Sequence, residues 1–256
     1  MKTLLFLLAR YPGCGGIETV TTVLANNLAN RYRVILCSLS HDHRQELQKG
    51  LDERVVWRAL PNHVQYHDEE NIRLFHDIVE REHVDVIINQ DSYFRNEYVL
   101  ERLAVSHKLK LITAEHNTPN LVQISIGLET HACPWWNLYR RLKILLLSER
   151  ILRKDRERRG HLYDISDSYV LLSDKFREQF AENSTVTDFR KLCAIANPLS
   201  FPRPAADWQR KEKRVLFVGQ FVGIKGVDRL LRIWHRIGHL VPEWRLTLVG
   251  DGPRMP

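Results

Sequence analysis

The sequence predicts an α/β protein built on an open parallel sheet that helices cover on both faces, the doubly wound class. Short continuous apolar runs, typical of strands buried on both faces, are each closed by turn residues. Segments with apolar residues at helical spacing separate these runs, and regular alternation of strand and helix is typical of parallel sheets. The chain has 256 residues, of which 44% are hydrophobic, and this suffices for one complete domain and part of another.

The elements of the first domain follow one another along residues 1–196. The first apolar run begins at Thr3 and is closed by the turn Tyr11-Pro12-Gly13. A helix should follow, because apolar residues recur at i, i+3, i+7 and i+11 from Ile17. The predicted strands are Thr3–Ala9, Val34–Leu39, Val55–Leu60, Val84–Asn89, Leu109–Glu115, Tyr169–Ser173 and Leu192–Ala196.

The composition of the chain changes after residue 196, which indicates a domain boundary. The segment Asn197–Pro204 contains three prolines and is followed by a polar stretch to Lys213, as in a linker. We therefore expect an N-terminal domain over 1–196, a linker over 197–213 and the start of a second domain over 214–256. That last part holds one β-α-β unit, too little for an independent core, so we expect the domain to be incomplete in this chain. Its predicted elements are Val215–Val218, Val227–Ile237 and Arg245–Val249.

Composition favours a cytoplasmic protein with a basic surface. The apolar run from Leu4 to Ala9 is shorter than the roughly 7–15 residues of a secretory signal. No apolar stretch approaches the about 20 residues that a membrane span requires. The four cysteines are scattered, as is typical of reduced cytosolic thiols. The 38 Lys and Arg exceed the 31 Asp and Glu, and the formal charge of +7 favours an anionic partner.

Three loops at strand carboxyl ends carry the residue types of a ligand site, since ligands of doubly wound sheets bind there. In the first, the glycines of Gly13–Gly16 let the backbone approach an anion at the start of a helix. In the second, His116 follows the fifth strand, where it can bind a hydroxyl or transfer a proton. In the third, Lys225 stands at a helix start after a flexible loop, which suits a diphosphate.

Each of these features also has a purely structural interpretation. Glycines serve tight turns, one of twelve histidines falls at a strand end by chance, and surface lysines are common. A nicotinamide or flavin oxidoreductase is a further alternative, but Glu18 stands where the G-x-G-x-x-G fingerprint requires glycine. The P-loop, the G-x-S-x-G nucleophile elbow and the H-E-x-x-H zinc motif are absent from the sequence.

Five short motifs occur in order along the chain. They are Gly15–Glu18, Glu115–Pro119, Asn197-Pro198, the pattern V-G-Q-F-x-x-x-K-G-x-D-x-L-L-x-x-W from Val218 to Trp234, and the closing L-V-G-D-G-P. Together they resemble the retaining glycosyltransferases of family 4. The resemblance spans the chain from Lys2 to Pro253, and the last two motifs are the most specific.

The resemblance implies a GT-B fold, in which two Rossmann-like domains face each other across a cleft. It also implies a hexosyltransferase-type enzyme (EC 2.4) that acts in polysaccharide biosynthesis. The enzyme would transfer a sugar, with retention, from a nucleoside-diphosphate sugar to a glycan or lipid-linked acceptor. The family usually needs no metal or other cofactor, and the sequence has no metal-binding Asp-x-Asp.

Site residues follow from the resemblance position by position. Gly15 and Gly16 would approach the donor diphosphate or the acceptor from the N-terminal side. Glu18 belongs to the same motif without an assigned role. His116 matches a cleft histidine expected beside the transferred sugar, and Lys225 matches a lysine that neutralises the leaving diphosphate.

Two departures from the family pattern affect the donor site. The usual Gly-Arg before the third loop is Gly219-Gln220 here, so a charged contact to the diphosphate becomes a neutral one. The loss is about 1–2 kcal/mol, on the order of tenfold in affinity. The family's E-x7-E motif, whose second Glu holds the donor ribose, is expected beyond residue 256. The one pair at that spacing, Glu149 and Glu157, lies in a basic helix of the wrong domain.

This basic helix is the remaining feature of the sequence. Residues 135–160 hold nine Lys or Arg, three acids and a leucine stripe, with Trp135 and Trp136 at one end. Such a helix can lie on an anionic membrane surface, here the inner face, or it can pack on the core with a basic solvated face. No nucleic-acid module matches it. A non-catalytic truncated remnant that binds membrane or a partner chain is therefore the alternative to an enzyme.

Overall fold

A computed structural model of the chain describes residues 1–13, 15–41, 50–66, 68–92, 96–132, 137–201, 209 and 211–253. The chain forms two compact units, one of Met1–Gln123 with Leu146–Pro202 and one of Ile124–Leu145 with Arg203–Pro256. Residues 202–208 and 210 of the predicted linker lie outside the described residues. The domain boundaries expected from the sequence stay a prediction.

The first unit contains a seven-stranded sheet in which all neighbouring strands are parallel. Its strands are β1 (Thr3–Arg10), β2 (Arg33–Ser40), β3 (Val56–Ala59), β4 (Val84–Asn89), β5 (Lys110–Glu115), β6 (Ser168–Leu171) and β7 (Leu192–Ala194). They lie side by side in the order β3-β2-β1-β4-β5-β6-β7. The predicted doubly wound parallel sheet is confirmed.

Helices connect the strands. They are α1 (Gly16–Leu28), α2 (Glu69–Arg81), α3 (Glu97–His107), α4 (Leu121–Ala132), α5 (Leu138–Ile165), α6 (Arg177–Glu182) and α7 (Val227–Ile237). Polar side chains cap some of them: the Asp68 carboxylate accepts from the Glu70 N–H at the start of α2, and Asn137 Oδ1 accepts from the Arg140 N–H at the start of α5. In the described part of the chain, no helix has the length and apolar character needed to cross a membrane.

The central strand β1 shows why the sequence contains continuous apolar runs. Successive side chains of a strand point to opposite faces of the sheet. Leu5 and Leu7 pack in one core cluster, whereas Phe6 and Leu8 pack in a second cluster. All four side chains are buried. A strand with a core on both faces therefore takes apolar residues at consecutive positions.

The order of the strands in the sheet indicates where a ligand site is expected. The order reverses direction at β1, whose neighbours are β2 and β4. Ligands of doubly wound sheets bind in the crevice outside the carboxyl ends of the strands at such a switch point. The loops that leave β1 and β4 meet this edge, and β5 adds the loop with His116 beside them.

The second unit contains the strands β8 (Arg214–Val218) and β9 (Arg245–Val249), which pair in parallel with α7 between them in sequence. The predicted β-α-β unit is therefore present. The bounds of α7, β9 and β4 agree with those expected from the sequence. The strand expected over Tyr169–Ser173 ends at Leu171, because Ser173 instead caps a 3-10 helix, its hydroxyl accepting from the Lys175 N–H.

Candidate functional site

Buried polar side chains form a hydrogen-bonded cluster where β4 ends. Asn96 Nδ2 donates to Asn89 Oδ1 at 2.8 Å and to the backbone oxygen of Asp91 at 2.9 Å. The Asp91 carboxylate accepts from the Tyr66 hydroxyl at 2.9 Å, and burial together with this carboxylate raises the pKa of Tyr66. Between Asn89 and Asp91, the backbone N–H of Gln90 donates to β1 at 2.9 Å. The backbone around Gln90 is thus fixed on both sides.

His116 follows the last residue of β5, as expected from the sequence, and its ring is held by Gln90. Its Nε2 makes a short hydrogen bond to Gln90 Oε1. Its Nδ1 is buried and, among the described residues, has no hydrogen-bond partner. Burial lowers the pKa of His116 to about 4, so the imidazole is neutral at physiological pH. The site therefore offers a neutral ring with one nitrogen engaged and one open.

A buried ion pair lies directly before His116 in the sequence and supports the same loop. Arg159 of α5 donates from Nε to both carboxylate oxygens of Glu115, at 3.0 and 3.2 Å. Asp155 Oδ2 lies 3.0 Å from Arg159 Nη1, and Tyr169 donates its hydroxyl to Glu115 at 2.8 Å. Burial by itself lowers the pKa of Arg159, but Glu115 and Asp155 hold it above its usual value. This network ties the end of β5 to α5.

This network is not among the features expected from the sequence, where Arg159 counts as one of the surface charges of the basic helix. That interpretation is wrong for Arg159, which is 2% exposed. The available signal was Glu115 itself, a carboxylate at the end of a predicted buried strand. A buried carboxylate requires a cation or several donors. Nothing in the sequence indicates that the cation stands 44 positions away.

The glycine loop before α1 is covered by the side chain of Glu18. A Cβ atom on Gly15 would lie 2.1 Å from Glu18 Oε2, and one on Gly13 would lie 2.7 Å from Glu18 Oε1. A Cβ atom on Gly16 would meet nothing within 4 Å. A carboxylate at a helix N-terminus is favourable, but it repels a second anion there. Hydroxyl groups that donate hydrogen bonds suit this loop better than a diphosphate does.

In the second unit, the two closing motifs pack against each other at the carboxyl edge of β8 and β9. The Gly219 N–H donates to Val249 O at 3.0 Å, and the Phe221 N–H donates to Asp251 O at 2.8 Å. A Cβ atom on Gly250 would lie 1.9 Å from the Gly219 carbonyl oxygen. Glycine at position 250 therefore permits this close backbone approach, and the approach fixes the backbone next to Gln220.

Lys225 lies on the same edge, at the end of the 3-10 helix Gly223–Lys225 and two residues before the start of α7. Gly226 makes the turn between the two helices with a φ of 75°, in the left-handed region. The Lys225 side chain is exposed and, among the described residues, has no hydrogen bond or ion pair. The Gln220 side chain is exposed as well. An unneutralised cation beside the N-terminus of α7 is suited to bind an anion.

The predicted site residues thus fall into two groups. Gly15, Gly16 and His116 lie at the carboxyl edge of the seven-stranded sheet, with the end of β4 between their loops. Gly219, Gln220 and Lys225 lie at the carboxyl edge of the second sheet. That the two groups share one cleft stays a prediction. In the part of the chain that the structure describes, no group of three or more His, Cys, Asp or Glu residues could hold a metal ion.

The predicted basic helix corresponds largely to α5. Trp135 and Trp136 lie outside the described residues. Along the first half of α5, apolar side chains are exposed, among them Leu138 at 73% and Leu146 at 71%. Exposed cations lie among them and in the next turns of the helix; they are Arg140, Lys143, Arg150, Arg153, Lys154 and Arg156. The last two turns are different: Arg159, Gly160, Leu162 and Tyr163 are buried.

Several solved structures have a fold similar to that of this chain. The fold matches Alr3699/HepE of Anabaena in complex with UDP and glucose at a TM-score of 0.57 and 13% identity, over 98% of this chain and 70% of that one. WaaG, a glycosyltransferase involved in lipopolysaccharide biosynthesis, matches at a TM-score of 0.58 and 16% identity, over 98% of this chain and 64% of that one. A TarM mutant of S. aureus in complex with Fondaparinux, alpha-GlcNAc-glycerol and UDP matches at a TM-score of 0.63 and 9% identity. The match covers 98% of this chain and 73% of that one. The expected Rossmann-like fold of GT-B glycosyltransferases is confirmed.

The sequence itself matches the model of Glycosyltransferase Family 4 over residues 14–199. The chain belongs to this family. A Haemophilus influenzae protein described as an uncharacterized glycosyltransferase is 30% identical over 77 residues, which cover 30% of this chain and 20% of that relative. The family recognised from the short motifs is confirmed.

Proposed function

We propose that this chain belongs to a retaining glycosyltransferase that moves a sugar from a nucleoside-diphosphate sugar to a glycan or lipid-linked acceptor. The family match over residues 14–199 carries the proposal, because it covers Gly15, Gly16 and His116 at the carboxyl edge of the first sheet. UDP and glucose in the HepE structure, and UDP in the TarM structure, support the donor class.

The second unit supplies the donor side in this proposal. Lys225 is exposed and uncompensated, and the first N–H groups of α7 follow it directly. A fixed cation and a helix N-terminus stabilise the negative charge that develops on a departing diphosphate. Gln220, fixed by the packing of Gly219 against β9, adds a neutral contact where an arginine is usual.

The first unit binds hydroxyl groups in this proposal. His116 is neutral and presents an unpaired Nδ1, which accepts a hydrogen bond. The Glu18 carboxylate, folded over the glycine loop, also accepts hydrogen bonds and repels phosphate. Both groups match sugar hydroxyls, so Gly15 and Gly16 admit a hydroxyl-bearing ligand here and leave the diphosphate to Lys225.

The test is a screen of UDP-, GDP- and ADP-sugars for binding and for sugar release or transfer, with the anomeric configuration of the product read by NMR. We expect binding of one nucleotide class, loss of that binding in Lys225→Ala, and a product with the donor's configuration. Lys213→Ala is the matched control, because Lys213 precedes the amino end of β8 and pairs with exposed Glu243 at 3.5 Å. Binding that is insensitive to Lys225, or an inverted product, would overturn the proposal.

We propose in addition that α5 lies on an anionic membrane surface. The exposed leucines and cations of its first half are the observation that favours this. Apolar side chains insert at the headgroup boundary, and each nearby Lys or Arg contributes about 1 kcal/mol on anionic lipid. A lipid-linked acceptor would reach such an enzyme on the inner face of the membrane, in the cytoplasm.

Flotation with vesicles of anionic or neutral phospholipid tests this second proposal. We expect binding to anionic vesicles that weakens with salt and is lost in Leu142→Ser with Leu146→Ser. Leu240→Ser, at a leucine of the second unit that is 68% exposed, is the control and should bind normally. Binding to membrane without any donor binding would favour the non-catalytic alternative, and absence of flotation at low salt would reject the membrane surface.

A further inference from the structure

The β4 loop holds a glutamine side chain against the candidate histidine. Gln90 is 2% exposed, and its backbone N–H donates to Leu7 of the central strand at 2.9 Å. The residues on either side are locked by Asn96, which bonds both Asn89 and Asp91. The backbone position of Gln90 is therefore set by the sheet and its buried cluster, independently of His116.

The hydrogen bond between Gln90 and His116 determines which nitrogen of the imidazole ring carries the proton. Gln90 Oε1 is an acceptor, so the Nε2 atom of His116 must carry the proton of this hydrogen bond. A neutral imidazole with its proton on Nε2 has an unprotonated Nδ1, which can only accept. This Nδ1 is buried and unpartnered among the described residues. A buried acceptor without a donor is costly unless a ligand supplies one.

We propose that Gln90 is a positioning residue that holds His116 in the Nε2–H tautomer, so that Nδ1 accepts a hydrogen bond from a hydroxyl group of the sugar. The inference rests on the proposed function for the identity of the ligand, whereas the tautomer itself does not depend on it. A second contact links the loop to α5: Arg158 Nη1 donates to the backbone oxygen of Ser92, two residues after Gln90. Gln90 thus lies in a segment that hydrogen bonds connect to β1, to Asn96 directly before α3, and to α5.

Long-range proton–nitrogen NMR of the full chain labelled with [15N]histidine tests the proposal, with His116→Gln to assign the signals. We expect the wild-type ring to be protonated on Nε2 and unprotonated on Nδ1. Gln90→Leu should yield a mixture of tautomers, because it removes the acceptor for Nε2–H. Gln90→Glu, which places a buried carboxylate against the ring, should keep the proton on Nε2 and favour a second proton on Nδ1. His76 and His107, whose ring nitrogens lie 2.8 Å apart, serve as internal controls whose signals should not change.

Kinetics provide the second readout. We expect kcat/KM for sugar transfer to fall about tenfold in Gln90→Leu. A wild-type ring protonated on Nδ1, or a tautomer that is unchanged in Gln90→Leu, would overturn the proposal. If the wild-type protein transfers no sugar but shows the expected tautomers, the proposed function fails and the role of Gln90 toward the ring stands.

Discussion

Arg159 and Glu115 form an ion pair in which both residues are 2% exposed, and it joins the last quarter of α5 to the end of β5. The pair also accounts for the geometry of the site, since the next residue after Glu115 is His116. Of the nine basic residues in 135–160, Arg159 is the one that the fold buries. The Arg159 guanidinium neutralises the buried Glu115 carboxylate and so stabilises the end of β5.

Removing Arg159 should strongly destabilise the protein. Arg159→Met leaves the Glu115 carboxylate buried without its cation, and loss of one partner of a buried pair costs about 3–5 kcal/mol. Arg153→Ala is the matched control, because Arg153 lies 3.7 Å from Glu157 on the exposed side of the same helix. That exposed pair contributes at most about 1 kcal/mol. Urea denaturation measures both variants, and equal free energies of unfolding would contradict the structural role.

The double variant Arg159→Met with Glu115→Leu separates charge from packing. It removes both buried charges, so it should recover part of the stability that the single Arg159→Met variant loses. A double variant less stable than the single variant would mean that Glu115 is held chiefly by Tyr169, whose hydroxyl lies 2.8 Å away.

Protonation of His116 should destabilise the folded protein as the pH falls. Burial lowers the pKa of His116 from 6.5 to about 4, so between these values the unfolded chain binds a proton that the folded chain does not. Stability is unaffected above pH 6.5 and is lost as the pH falls toward 4, by about 2 kcal/mol at pH 5. Urea denaturation at pH 7 and pH 5 should show a smaller decrease for His116→Gln than for the wild type. Identical decreases would refute the burial of a neutral ring.

Lys225→Ala should weaken the donor site without affecting the fold. The side chain is exposed and has no partner among the described residues, so its loss costs little stability. Its role toward the diphosphate predicts that kcat/KM falls on the order of a hundredfold. Lys213→Ala should leave kcat/KM unchanged. Comparison of thermal midpoints shows whether any loss of activity reflects unfolding.

Gln220→Arg should strengthen donor binding. The variant restores the charge that family members usually carry at this position, and the exposed side chain can extend without displacing a neighbour. A charged hydrogen bond in place of a neutral one is expected to lower the Kd for the nucleoside diphosphate about tenfold. Gln220→Glu should raise the Kd instead. Titration calorimetry measures both, and an unchanged Kd in the two variants would place Gln220 away from the diphosphate.

Two glycines should respond in opposite ways to alanine. In Gly250→Ala the added Cβ would lie 1.9 Å from the backbone oxygen of Gly219, so the second unit must distort and its thermal midpoint should fall. In Gly16→Ala the added Cβ meets nothing within 4 Å, so the fold should be unaffected. Reduced activity of a fully stable Gly16→Ala would show that this open space is used by a ligand. A stable Gly250→Ala would argue against the close packing of the two closing motifs.

Local features of the fold were predictable from the sequence because local rules determine them. The burial of β1 on both faces follows from its run of apolar residues, and the start of α7 follows from Gly226 and the periodicity after it. Pairings across the chain were not predictable. Gln90 and His116 are 26 positions apart, and only the adjacency of β4 and β5 brings them together. For the same reason the candidate histidine was found from its motif, whereas the group that orients it was not.

The change from solvent to core along α5 takes place within one helical turn. Glu157 is exposed, while Gly160 is packed so closely that a Cβ atom would lie 1.8 Å from Thr185 Oγ1. One continuous helix therefore tolerates substitution in two different ways. Before Arg158, most side chains other than Asp155 lie at the surface, so a substitution there should alter that surface and leave the fold intact. From Arg159 to Tyr163, a substitution should also disturb a strand end and a loop that lie far away in the chain.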